Sequence, residues 1–450
     1  MHPYIPHTSE EVKSMLSDIG VSSIDQLFAD IPESIKLKRQ LNIHDPMSEF
    51  EVYKELKSLS EKNKTAISFL GAGCYDHIIP VVVQHIISRS EFYTSYTPYQ
   101  AEISQGTLQS IFEFQSLICE LTGLDVSNAS LYDGHTAASE ASVMALNSVK
   151  KSNTILISEY LHPFTKQVLK TYFLGLDISI VEVKGKDGKI DIDDLKSKIS
   201  ENVAGLIVQT PNFLGILEDL SDISKILKEN KKVLIVSSNP LSLSTFKNSK
   251  EWDADIAIGD LQPFGIPQYF GGPSAGYIAA KEEYLRKMPG RIVGQTVDKD
   301  GKRGFVLTLQ AREQHIKRER ATSNICSNQA LMALASTVYM SIMGKSGLKE
   351  VAKRSISAAH YLESELTKTK AGRLLYNQPY FNEFTFVFNK DAKLILSELK
   401  KQGIFGGILL EPILGEKYKN AVLIAATEKR TKEEIDLYVK TVGGILWQNF

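Results

Sequence analysis

Between residues 154 and 280 short apolar runs and amphipathic stretches take turns along the chain, and this alternation restricts the fold more than any other feature. Runs at residues 154–157, 178–183, 204–208, 233–236, 256–258 and 275–280 have the length and β-branched content of buried strands. Helical spacing fills three of the gaps, at residues 164–174, 193–199 and 217–228. Strands buried on both faces and separated by helices pair in parallel with helices covering them, so an α/β architecture is expected. The last two strands are joined by a loop too poor in periodic residues to hold a helix. The final strand is therefore expected to run antiparallel.

That loop is itself unusual. From Gly259 to Gly276 it carries three prolines and five glycines. Such a mixture of constrained and unconstrained positions suits a loop whose backbone must occupy particular places, over a ligand or at a subunit seam. No lysine occurs between Asp260 and Tyr277. Three X-Pro loops follow other strands: His162-Pro163, Gln209-Thr210-Pro211-Asn212 and Ser237-Ser238-Asn239-Pro240. Open α/β sheets bind ligands at that edge, although each loop is also readable as an ordinary turn.

Upstream, residues 8–20, 23–28 and 46–62 read as helices, with Ser9 capping the first. They form a helical arm over residues 1–64 whose apolar stripes need a surface of another domain or subunit. Gly71 and Gly73 resemble the start of a dinucleotide fingerprint. Asp76 stands where the third glycine belongs, which argues against a nicotinamide site. Cys74, Asp76 and His77 are adjacent and lack ligand spacing, so no metal site is expected. The aromatic and polar stretch at residues 92–106 suits either a small polar ligand or an interface, and composition favours the interface. Asp133-Gly134-His135-Thr136 opens a helix with Thr136 as its cap, and a helix start of this kind can seat a phosphate. Arg291, Arg312 and Arg320 can grip a carboxylate or phosphate, or bridge domains. A helix over about residues 327–340 leads into a last region. There helices at 362–366, 391–399 and 433–442 and strands at 384–388 and 421–425 make a small α+β domain. Three regions result: 1–64, 65–326 and 327–450.

With 52 basic and 53 acidic residues there is no basic excess to suit a nucleic acid or anionic membrane. No apolar run approaches the length of a membrane span, and the first residues lack the apolar core of a signal peptide. Three separated cysteines form no disulfide framework, which fits a reducing compartment such as the cytoplasm.

Four phrases are specific beyond fold: Tyr96-Thr-Pro-Tyr-Gln-Ala-Glu-Ile-Ser-Gln-Gly106, Asn128-Ala-Ser-Leu-Tyr-Asp-Gly134, Pro289-Gly-Arg-Ile-Val-Gly-Gln-Thr296 and Thr308-Leu-Gln-Ala-Arg-Glu-Gln314. They resemble the alpha-subunit (subunit 1) branch of the P-protein family, the glycine dehydrogenases (decarboxylating) of the glycine cleavage system. The resemblance runs through nearly the whole chain. It implies the aspartate-aminotransferase-like fold, PLP-dependent transferase fold type I, with an N-terminal helical arm and a small α+β C-terminal domain. In that family an alpha and a beta subunit assemble, generally as an α2β2 heterotetramer. The assembly decarboxylates glycine on pyridoxal phosphate, releases CO2 and passes the aminomethyl group to the lipoyl arm of the H-protein.

By the same resemblance the beta subunit carries the pyridoxal phosphate, and none is expected to be covalently bound here. Where a catalytic member shows a His-Lys pair, this sequence has Gln262-Pro263, and proline offers no amine. Ser237-Ser238-Asn239 stands where an aspartate would face the pyridine nitrogen. Tyr96, Tyr99, Gln100 and Glu102, with Tyr132, Asp133 and His135, are the residues expected to reach the partner's active site. His162 is a weaker cofactor-binding candidate. His135 departs from the alanine generally found there. Lys247 and Lys281 read as solvated. Two further readings stand beside this one: a purely structural partner subunit, and an independently active pyridoxal-phosphate aminotransferase or lyase.

Overall fold

A computed structural model describes residues 4–93, 98–268, 272–321 and 323–447. The chain separates into two compact units, Met1–Lys64 and Thr65–Phe450.

The first unit holds helices α1 (Ser9–Ile19) and α2 (Glu49–Ser60). Thr8, not Ser9, caps α1. Its side chain accepts from the Glu11 amide while the Glu11 carboxylate reaches back to the Thr8 amide, a reciprocal pairing that Ser48 and Glu51 repeat at α2. Residues Ile24–Phe28 form a 3-10 turn. No residue of either helix is buried. Ile19, Phe50, Tyr53 and Leu56 all stand exposed.

In the second unit, helix α3 (Gln105–Thr122) ends at Gly123, which adopts a left-handed conformation. A short strand β1 (Val126–Ser127) leads to α4 (Gly134–Leu146). The alternating region then supplies β2 (Thr154–Ser158), α5 (Pro163–Tyr172), β3 (Ser179–Val183), α6 (Ile192–Lys198) and β4 (Val203–Gln209). It continues through α7 (Ser221–Glu229), β5 (Val233–Ser237), β6 (Ile256–Asp260) and β7 (Gly276–Ala280). The seven strands form one sheet in the order β1-β7-β6-β5-β4-β2-β3. Six of them point one way, five as parallel neighbours, whereas β7 runs antiparallel to both β6 and β1, as the helix-free loop before it required.

Alternate side chains of the inner strands face opposite layers. Ile256, Ile258, Ile278 and Ala280 pack with Ala137, Ala138, Ala141 and Ala145 of α4. Ala257, Tyr277 and Ala279 pack with Phe114 and Ile118 of α3 and with Ala335 and Tyr339. Small alanines on α4 let helix and sheet approach closely, and burial on both faces explains why these strands read as continuous apolar runs.

The helical stretch α8 (Ala330–Lys368) is two helices in succession, joined at a kink. Its helical pattern breaks only at Gly344, which has φ 57°. After this break a second helix packs Leu348, Val351 and Ala352 into the same core. Beyond it lie β8 (Gly372–Leu374), β9 (Glu383–Phe388), α9 (Ala392–Lys401), β10 (Ile408–Leu409), β11 (Ala421–Ala425) and α10 (Lys432–Trp447). The strands make an antiparallel sheet ordered β8-β9-β11-β10. No helix among the described residues is long and apolar enough to cross a membrane.

Candidate functional site

The carboxyl ends of β4, β5 and β6 open into one cleft of about 670 Å³, its solvent-open mouth included. All three X-Pro loops meet there: His162, Pro211 and Asn239 line it. Tyr75 and Glu383 close the opposite wall. Parallel strands bring these loops together because their carboxyl ends all lie on one edge.

Helix α4 aims its first turn at the cleft. Asp133, not Thr136, is its cap, and the Thr136 amide donates to Asp133 Oδ1 at 2.7 Å. The Gly134 amide donates to Asp260 Oδ2 at 3.0 Å. Gly134 is required there, since a Cβ would stand 2.9 Å from the Asp260 amide nitrogen. Asp260 Oδ1 accepts from the Gln262 amide at 2.9 Å and from Ser274 Oγ at 2.6 Å. Burial raises its carboxyl above the usual range against the pull of these donors.

Gln262 and Pro263 take the positions where the resemblance puts a His-Lys pair. The Gln262 side chain is fully used: Oε1 accepts from the Tyr75 amide at 2.8 Å, and Nε2 donates to the Tyr75 and Ile266 carbonyls, both at 2.9 Å. Pro263 lines the cleft and presents only carbon.

His162 is held in one tautomer. Its Nδ1 accepts from the Phe164 amide at 3.1 Å, which leaves Nε2 to donate to the Ala72 carbonyl at 3.0 Å. Burial, and then the neighbouring His135, push it down to about 4, so it is neutral at physiological pH. The two imidazoles lie 4.8 Å apart between centroids, and Phe213 meets His162 edge-on at 4.9 Å. His135 itself pairs with Thr165 Oγ1 at 2.8 Å.

Glu383, at the start of β9, takes the Ala72 amide on Oε1 at 2.6 Å and the Tyr75 hydroxyl on Oε2 at 3.0 Å. Complete burial raises its carboxyl to about 7, outweighing both hydrogen bonds. Unfolded, the group titrates near its ordinary 4.5, so the folded chain holds a proton that the unfolded chain has already lost. The resulting stability is complete below 4.5 and disappears as pH rises through about 7. Melting temperatures measured from pH 5 to 8 should therefore fall less steeply in Glu383→Gln than in the parent. Glu218, also raised to about 7 by burial, keeps the variant from becoming pH-independent.

The remaining candidates lie elsewhere. Tyr96 falls outside the described residues. The Tyr99 hydroxyl donates to Asn328 Oδ1, and the Arg291 guanidinium sits 4.9 Å above the Tyr99 ring. Gln100, Glu102 and Tyr132 are exposed, and none of these four described residues lines the cleft. Arg291 pairs with Glu313 at 2.5 Å, and Arg312 donates to the Met288 and Gly290 carbonyls. Arg320 is exposed beside Glu319. Lys281, expected to be solvated, is partly buried between Asp253 and Asp255 at 2.9 and 2.8 Å, because the turn before β6 folds both carboxylates onto it. Lys247 lies over the Trp252 ring at 4.3 Å. The reading of residues 71–77 missed their real partners: His77 meets Glu428 at 2.7 Å, and Asp76 meets Arg430 at 3.0 Å. Among the described residues no group of three His, Cys, Asp or Glu side chains is placed to hold a metal.

Sequence reasoning did not single out Asp260, Tyr75 or Glu383. A carboxylate opening the apolar strand of residues 383–388 was a signal for Glu383. Asp260 stood in plain view at the head of the proline-rich loop.

Whether these residues fit pyridoxal phosphate can be judged from the donor set. Such a cofactor needs an amine, an anion at its ring nitrogen and a seat for a phosphate dianion. Among the described residues no lysine or arginine lines the cleft. Ser237 and Ser238 end β5 without a carboxylate, and two of the first amides of α4 already serve Asp133 and Asp260. The residues do not fit the group.

The fold is that of the PLP-dependent fold type I enzymes. It superposes on an alanine–glyoxylate aminotransferase from Nostoc sp. with a TM-score of 0.60 over 85% of this chain and 96% of the other, at 16% identity. A NifS-like protein gives 0.63 over 85% of this chain and 99% of the other, at 14% identity. At 38% identity, the crystal structure of an inhibitor-bound glycine decarboxylase (P-protein) of the glycine cleavage system matches with a TM-score of 0.89, covering 98% of this chain and 99% of that one. Probable glycine dehydrogenase (decarboxylating) subunit 1 proteins from Bacillus cereus and Bacillus anthracis are 52% identical over 99% of this chain and 100% of their own length. The family model for the glycine cleavage system P-protein covers residues 2–442. The chain belongs to the glycine cleavage system P-protein family.

Proposed function

We propose that this chain is the lysine-free alpha subunit of a two-subunit glycine dehydrogenase (decarboxylating), active only with a beta subunit that carries the pyridoxal phosphate. The assembly releases CO2 from glycine and hands the aminomethyl group to the lipoyl arm of the H-protein. An α2β2 heterotetramer in the cytoplasm is the form the family resemblance implies. The observation that carries this reading is the cleft itself: it has the family's fold around it, yet Pro263 stands in place of the amine and no cation among the described residues lines the walls. Identity of 52% to subunit 1 proteins supports the same role.

In this reading residues 1–64 form an arm for the partner, 65–326 the large α/β domain and 327–450 the small one. The exposed apolar stripes of α1 and α2 are what such an arm requires. Tyr96, Tyr99, Gln100 and Glu102, with Tyr132, Asp133 and His135, contribute to the partner's active site.

The test is glycine–bicarbonate carbon exchange in the presence of H-protein, with each subunit alone and with both together. Exchange restored only by the mixture supports the assignment; turnover by this chain alone, with a pyridoxyl adduct on one of its own side chains, refutes it. Loop variants then separate a contributing subunit from a scaffold. Tyr96→Phe should leave assembly by size-exclusion chromatography unchanged and lower exchange by about tenfold, the factor that about 1.4 kcal/mol of lost transition-state stabilisation gives. Unchanged exchange would move the loop to the scaffold reading.

A further inference from the structure

We propose that Asp260 is the chain's own occupant of the anion seat at the head of α4, and that it is the residue which bars phosphate-bearing ligands from the cleft. This inference concerns the chain alone and does not depend on the subunit assignment.

A helix of 13 residues with free amides at its start is a ready anion site. Here the site is filled from within. Gly134 donates to Asp260 Oδ2 and Thr136 to Asp133 Oδ1. The Asp260 carboxylate is fixed from three directions, since Gln262 and Ser274 hold Oδ1 while Gly134 holds Oδ2. It thereby ties α4, the loop after β6 and the segment before β7 into one joint. A Cβ on Gly134 would lie 3.1 Å from Asp260 Cβ, so helix and strand end are already in contact and leave no gap for a phosphate between them.

Charge decides the matter. A phosphate oxygen brought to these amides would have to displace the Asp260 carboxylate that already takes the Gly134 amide, and would stand against its negative charge. An arriving phosphate would meet Asp260 and Asp133 with no lysine or arginine among the described residues of the cleft wall to offset them. The absent lysine bears on covalent attachment only. A cofactor could still dock through its phosphate, and Asp260 closes that second route.

The experiment is a titration of inorganic phosphate into the full chain and into Asp260→Ala and Asp260→Ser, followed by thermal unfolding against chloride at matched ionic strength. The parent should show no saturable rise in melting temperature. The variants should show one, with a dissociation constant lowered about tenfold or more, the equivalent of about 1.4 kcal/mol. Equilibrium dialysis of pyridoxal phosphate, read by its absorbance, should give the same ranking. Asp260→Ser retains an acceptor for the Gln262 amide, and Asp260→Asn keeps the side-chain shape without its charge, so at least one of these carries the test if the alanine variant does not fold. The proposal is wrong if the parent binds phosphate as tightly as the variants, or if the folded variants bind none.

Discussion

Replacing His77 with alanine should cost the fold about 3 kcal/mol, the upper scale for leaving a buried acceptor without its hydrogen-bond partner. The side chains of His77 and Glu428 are only 2% and 4% exposed, and Nδ1 meets Oε2 at 2.7 Å. Burial alone would raise the Glu428 carboxyl, yet the hydrogen bond and charge of His77 outweigh it and leave the group below its usual range. Without the imidazole, Glu428 retains the Ile78 amide and the Ser355 hydroxyl, but its charge stays buried without its nearest partner. The effect should reach the cleft, because the same segment carries Gly73 and Tyr75 into its wall. We expect a melting temperature lower by about 4 °C. A double-mutant cycle with Glu428→Gln checks the cause: the second substitution should cost little once the first is made. Full additivity of the two would refute the coupling.

Gly215→Ala should be at least as damaging, at about 3 kcal/mol or more, by two separable causes. Its φ of +88° is one that a side chain disfavours, and a Cβ would stand 2.1 Å from the Glu383 carbonyl oxygen. That neighbour is backbone of β9 and cannot turn aside. The turn is also pinned: Asn212 Oδ1 accepts from both the Leu214 and Ile216 amides, and Leu217 donates to the Pro379 carbonyl. Relief must come from separating this turn from β9, and with it one wall of the cleft. Gly175→Ala is the control. Its φ of +81° is similar, but nothing lies within 4 Å of its Cβ, so it should cost about 1 kcal/mol. Equal losses in melting temperature for the two variants would show that conformation, not contact, sets the cost.

The sheet was legible because its strands are buried on both faces. Residues 154–157, 204–208 and 233–236 read as strands within a residue or two of their ends, and the short periodic content of residues 261–275 foretold the antiparallel β7. Helix ends were read less well. Thr8 and Asp133 displaced Ser9 and Thr136 as caps, since a cap is defined by which side chain reaches the free amide, and neighbouring hydroxyls look alike in sequence. In α8 the break that ends the helix expected near Met340 is real, at Gly344, and what the sequence did not show is that a second helix follows it at once.

For the site, the sequence alone determined which chemistry particular positions cannot offer. Pro263 cannot supply an amine, the serines after β5 cannot supply an anion, and both facts are local chemistry that no folding can change. It also placed the three X-Pro loops on one edge, because parallel strands leave no other arrangement. What filled the cleft was decided only by tertiary structure. Asp260 reaches the head of α4 across 126 residues of chain, and Glu383 reaches Ala72 across 311. Contacts of such separation leave no periodicity or spacing behind. They arise because burial forces every amide and carboxylate to find a partner among whatever the packed layers bring within reach.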